Sequence, residues 1–147
     1  MTTHTGVLAV IAAGGALGSL ARFGVQRLWP AAPYGFDWAT LTVNVVGCGL
    51  IGVLMVLVSD VWSGRRLLRP FLGVGVLGGF TTFSAYAVAV PRLITTGHPA
   101  LAGAYLVGTA AAALGATWLG VVAARRVTRS TIEPAVTSRR TPAERQR

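Results

Sequence analysis

The stretch Gly78-Gly79-Phe80-Thr81-Thr82-Phe83-Ser84 lies inside a run that carries no charge from Phe71 to Pro91. Paired glycines loosen a helix, and Thr and Ser side chains offer hydrogen bonds that compete with the helical ladder. At bilayer depth such a break is tolerated only where it is buried in protein or lines a cavity. Carbonyls freed there are ligands for a cation. The half-helix that resumes near Thr82 to Ser84 turns its N–H groups and its positive dipole end toward an anion. The plain alternative is a helix kinked only for packing.

Other polar groups at membrane depth are the natural companions of such a break, because each needs a partner there. Asn44 shares a helical face with Cys48 and Gly52. Its amide can donate to an anion or to a carbonyl, or it can serve as glue between helices. Tyr105 and Thr109 are four residues apart and share a face. Together they suggest a polar track, although a single Thr, such as Thr117, tends to bond back to its own helix. Arg22 either snorkels to the interface or places a positive potential near a vestibule that draws anions in.

The absences are as informative. No Asp, Glu or Lys stands in the middle of any apolar segment. A proton-coupled exporter of cationic drugs needs a carboxylate at that depth, and a proton relay needs Asp, Glu or His. No nucleophile–base pair or cluster of metal ligands suggests an enzyme, and His4 and His98 are far apart. The lone Cys48 has no partner for an intramolecular disulfide and suits a small apolar packing role.

These residues need a membrane-spanning frame. Of the 147 residues, 53% are hydrophobic and 12% charged, about half the charge of a soluble domain. Four apolar segments of membrane-spanning length are expected as helices: about Val7–Leu28, Trp38–Val58, Phe71–Ile94 and Leu101–Ala124. Pro30, Pro33 and Gly35 separate the first two; Asp60, Ser63 and Gly64 precede the third; Gly97 and Pro99 precede the fourth. Trp29, Trp38 and Trp62 fall at expected ends, where aromatic belts form. The fold class is thus all-α integral membrane, with residues 1–124 as the helical domain. From Arg125 to Arg147 the composition turns to Arg, Thr, Ser, Pro and Glu, and a disordered cytoplasmic tail is expected.

A net charge of +9 in so apolar a chain points to lipid head groups rather than nucleic acid. Every basic residue is an arginine. Arg65, Arg66, Arg69, Arg125, Arg126 and Arg129 fall on one side of the four-helix topology, Arg27 and Arg92 on the other. Both termini are therefore expected in the cytoplasm. Small residues at spacing four, Gly14 and Gly18, Gly75 and Gly79, and Gly108, Ala112, Ala116 and Gly120, suit close backbone approach. They serve either packing within the chain or a dimer seam.

Three of these stretches together resemble the CrcB/Fluc fluoride channels. Gly14-Gly15-Ala16-Leu17-Gly18-Ser19-Leu20-Ala21-Arg22-Phe23 looks like the family's first signature, Thr40-Leu41-Thr42-Val43-Asn44-Val45-Val46-Gly47 its second, and Gly78 to Ser84 its third. The likeness covers about residues 6 to 124. It implies two subunits inserted in opposite directions, forming an antiparallel dual-topology dimer with two fluoride pores in the plasma membrane. It implies a structural sodium ion (Na+) at the dimer centre, held by the backbone carbonyls of Gly78 and Thr81. It implies a fluoride path formed by Asn44, the ring edge of Phe83, Ser84, Tyr86, Tyr105 and Thr109. Tyr86 stands where the family often has a second Phe, Ala89 where a Glu often follows, and Ala113 where a hydroxyl often continues the track. The implied function is passive export of fluoride.

The arginine bias bears on assembly. A chain that inserts both ways needs balanced loops, whereas this one is biased, so it is expected to pair with an oppositely oriented paralogue, with the homodimer as the other arrangement. The competing functions are a non-conducting partner of another channel subunit and a small multidrug-type exporter.

Overall fold

The computed structural model describes residues 2–32, 35–62 and 66–139, with side chains described between His4 and Arg129. It is helical throughout its regular structure. The elements are α1 (Thr2–Leu28), α2 (Trp38–Asp60), a π-helical segment (Arg69–Leu77), the short α3 (Gly78–Phe80), α4 (Ser84–Thr95) and α5 (Pro99–Arg139). Pro33, Ser63, Gly64 and Arg65, each used in the sequence reading, lie outside the described residues, as do residues 140–147 of the expected tail. Four helical stretches, His4–Leu28, Trp38–Asp60, Arg69–Thr95 and Pro99–Arg129, are long and apolar enough to cross a membrane.

The helices run past the apolar limits at several ends, because hydropathy marks the hydrocarbon layer and not where the backbone ladder stops. Asp37 caps α2: its Oδ1 accepts the Thr40 N–H at 3.0 Å and its Oδ2 accepts the Thr40 hydroxyl at 2.8 Å. The third span is bent, and its hydrogen-bond ladder is interrupted. Its first half is π-helical, and Thr81 then turns to an extended backbone at φ −74° and ψ 157°.

The break falls within the expected stretch Gly78 to Ser84, and the helix resumes at Ser84. Gly78 and Gly79 stay helical, and the interruption is Thr81–Phe83. The glycines serve contact instead. A Cβ on Gly79 would run into the Gly15 carbonyl, one on Gly18 into the Val76 carbonyl, and one on Gly75 would lie 3.0 Å from Gly14 Cα. Backbone thus meets backbone along α1 and the third span. A second such seam joins α2 to α5, where Gly52 abuts the Thr117 carbonyl and Gly120 the Gly49 carbonyl. Gly108, by contrast, has open space around it. The small-residue stripes are therefore mostly internal seams.

In lipid no hydrophobic force draws helices together, so this close approach carries much of the association. Gly79→Leu should separate α1 from the third span. The expected result is loss of the monodisperse species on size-exclusion chromatography in detergent, while Gly108→Leu leaves the monomer's own fold intact by near- and far-UV circular dichroism.

Candidate ion pathway at the broken third span

The interruption is held open by side chains from other helices. Asn44 of α2, only 8% exposed, grips Thr82 from both sides of its amide. Its Nδ2 donates to the Thr82 carbonyl at 2.9 Å, and its Oδ1 accepts the Thr82 N–H at 2.8 Å. In a continuous helix that N–H would reach the Gly78 carbonyl. The Ala85 N–H, which would reach the Thr81 carbonyl, goes to Thr82 Oγ1 at 3.4 Å. Both Gly78 and Thr81 carbonyls thereby lose the donors that a regular ladder supplies.

Gly79 is secured from α1. Its carbonyl accepts Arg22 Nε at 3.2 Å and the Ser19 hydroxyl at 3.4 Å. The sequence left Arg22 between snorkelling and a vestibule; in the structure it is tied to the backbone just before the interruption. Thr81 bonds back to the Leu77 carbonyl through its hydroxyl at 2.9 Å, and Gly47 of α2 lies against its methyl.

Beside the interruption is a cleft of about 300 Å³ lined by Asn44, Cys48, Thr81, Thr82, Phe83, Tyr86, Thr109, Ala110 and Ala113. The sequence-based candidates divide here. Asn44, Phe83, Tyr86 and Thr109 share this wall. Ser84 opens α4, and its hydroxyl lies 3.1 Å from that of Thr82. Tyr105 is in the core with Ala89, Leu93 and Ala102, not on the cleft wall, and its ring lies 5.7 Å from that of Tyr86. Tyr86 donates its hydroxyl to the Leu106 carbonyl at 2.8 Å, so the group that distinguishes it from Phe is spent on α5. Thr117 bonds back to the Ala113 carbonyl at 3.0 Å, as a lone Thr is expected to do.

Two hydroxyls are not satisfied. Tyr105 is fully buried and Thr109 is 4% exposed, and neither hydroxyl oxygen has a hydrogen-bond partner. Buried polar atoms are almost always paired. Of the two, only the Thr109 hydroxyl stands on the cleft wall; the Tyr105 hydroxyl is enclosed in the core, facing Thr40. Phe83 differs from them, being 77% exposed. Its ring leans on Tyr86 at 5.5 Å between centroids, and most of its edge is bare.

A cation has a plausible seat as well. The Gly78 and Thr81 carbonyls are neutral, hard oxygen donors, the type that suits an alkali cation. No group of three or more His, Cys, Asp or Glu side chains stands together among the described residues.

Sequence reasoning missed several participants. Thr82 was seen only as part of a loose stretch, yet its backbone accepts from and donates to Asn44, and its hydroxyl accepts the Ala85 N–H. Gln26 donates to Thr40 Oγ1 at 3.3 Å and extends the Asp37 cap toward α1. Asp37 three residues before Thr40, at the head of an apolar run, is a readable cap signal.

An interrupted span whose ladder is redirected by side chains, set in a four-span chain, defines a small multi-pass membrane protein of the channel class. The family model described as CrcB-like protein, Camphor Resistance (CrcB), matches residues 9–121, and the chain belongs to that family. Among similar proteins, the fluoride-specific ion channel FluC 2 of Streptomyces avermitilis is 56% identical over 103 residues, 70% of this chain and 65% of the relative. FluC 1 of Streptomyces coelicolor is 50% identical over 125 residues, 85% of this chain and 81% of the relative. FluC 2 of Nocardia farcinica is 51% identical over 122 residues, 83% and 87% of the two chains. The chain thus spans just under two thirds of the first relative and more than four fifths of the other two.

Proposed function

We propose that this chain is a subunit of a fluoride-selective channel that lowers cytoplasmic fluoride by passive export. The observation that carries the reading is the unpaired Thr109 hydroxyl on the wall of a cleft that Asn44 and Phe83 border and that contains no carboxylate. Hydroxyl and amide donors with a ring edge suit a small, strongly hydrogen-bonding anion. The relatives' names state the same substrate for those proteins. Both aspartates of the described residues sit at the ends of α2, Asp37 as its cap and Asp60 as its last residue. That placement disfavours a proton-coupled multidrug exporter, which requires a carboxylate mid-span.

In this reading Asn44 and Thr82 fix the entrance geometry, Ser84 and Phe83 meet the ion, and Thr109 and Tyr105 receive it along α5. Gly78 and Thr81 would hold a structural Na+ through their carbonyls, where the ion would neutralise the negative ends of the released dipoles. Freed carbonyls do not belong against lipid, so a second subunit covers this face. The arginine distribution favours one insertion direction with both termini cytoplasmic, hence a paralogous, oppositely oriented partner. The Arg-rich stretch from Arg125 then lies at the inner head-group layer.

The test is fluoride efflux from liposomes that contain this chain alone, read with a fluoride electrode beside a chloride control. Fluoride flux well above chloride flux supports the channel. Flux only when a paralogue is added supports the paired subunit, and absence of flux in either case refutes conduction. Uptake of a cationic dye driven by a proton gradient would revive the exporter.

A further inference from the structure

A second cleft, about 350 Å³, begins at Ser84 and is lined also by Asp37, Ala85, Val88, Ala89 and Arg92. It continues from the end of the interruption toward the Asp37 end of α2. Arg92 Nε is buried here and has no hydrogen-bond partner. A guanidinium N–H withdrawn from water without an acceptor is costly, more so than a neutral donor. The nearby carboxylate does not discharge it through a bond at Nε. Both Asp37 oxygens are engaged by Thr40, through its N–H at 3.0 Å and its hydroxyl at 2.8 Å. Ala89 is small enough to leave the cleft room beside Arg92.

We propose that Arg92, with Ser84, forms a fluoride site at the Asp37 end of the pathway, the end away from the cytoplasmic termini, and that Asp37 offsets its charge so that the exported ion is held weakly enough to leave. The inference rests on the channel reading and adds to it a charged residue outside all three signature stretches. Arg92 offers the anion a positive, hydrogen-bonding partner in an otherwise mostly apolar cleft. Asp37 keeps the cleft near neutral, so the anion is held weakly enough to move on. A lipid phosphate offers the same acceptor chemistry, and its signature would be independent of fluoride concentration.

Initial efflux is measured against fluoride concentration in liposomes of one fixed composition. Arg92→Gln is expected to lower the rate about tenfold at low fluoride, with the curves converging at saturation. Arg92→Lys restores most of the low-fluoride rate. Asp37→Asn, which still caps α2, raises it. The opposite signs separate electrostatics from a structural role. An equal loss at every concentration, no loss at all, or a fall in Asp37→Asn would overturn the site. Fluoride binding to the detergent-purified chain, read by 19F line broadening, tests the site without conduction. Broadening that is reduced severalfold in Arg92→Gln and kept in Arg92→Lys supports it even if the channel reading fails. Unchanged broadening refutes it even if the wild type conducts.

Discussion

Asn44→Asp is expected to reduce fluoride efflux by about 100-fold without unfolding the chain. The ionised carboxylate still accepts the Thr82 N–H, so one of the two bonds survives. The other is reversed in character: an oxygen now faces the Thr82 carbonyl where Nδ2 donated at 2.9 Å. Losing that bond costs on the order of 1–3 kcal/mol, and a carboxylate at mid-span adds about 2.5–3.5 kcal/mol. The same charge repels the permeating anion. About 2.7 kcal/mol of added barrier corresponds to 100-fold in rate. The measurement is electrode-recorded efflux at matched protein density, with circular dichroism as the folding control. Wild-type flux in this variant would remove Asn44 from the pathway and leave it as interhelical glue.

Phe83→Ile should separate function from folding more cleanly still. The side chain is 77% exposed and touches little besides Tyr86, so its loss leaves the chain's own packing nearly unchanged. Isoleucine is comparably apolar, so burial against a second subunit is also preserved. What disappears is the ring edge, whose hydrogens carry the positive part of the quadrupole. Efflux is expected to fall by up to about tenfold, since aromatic edge contacts are worth about 0.5–1.5 kcal/mol each and the ion meets the edge where it is least hydrated. Retained efflux would show that Phe83 merely covers the interface.

How much of this was legible in the sequence varies by residue. The four spans follow from charge-free runs, because hydrocarbon leaves little choice. Asn44 stood out as an amide in an apolar helix, but its partner did not, since Thr82 lies 38 positions away. The interruption was placed within Gly78 to Ser84, and it falls at Thr81–Phe83, past the glycines that were thought to loosen the helix. The glycine pair looked like weakness; it is a contact surface for Gly15, which only the packed helices reveal. The π-helical course of Arg69–Leu77 left no readable mark, because its composition is that of any apolar helix. Arg22 could be placed by depth but not by partner, and its bond to Gly79 depends on the α1 seam. Tyr105 and Thr109 were expected as one track on spacing alone; the structure puts Thr109 on the cleft and Tyr105 behind it.

The discontinuity in the third span is fastened from two neighbouring helices, by Asn44 from α2 and by Ser19 and Arg22 from α1. A discontinuity fastened this way is not a hinge. Carriers use broken helices as moving parts and must rearrange once per substrate, on microsecond to millisecond timescales. A riveted break offers no such cycle. Ions here would pass through a standing structure, so throughput is governed by diffusion along fixed donors and warming would speed it only gently, as it speeds water's own viscosity-limited motions.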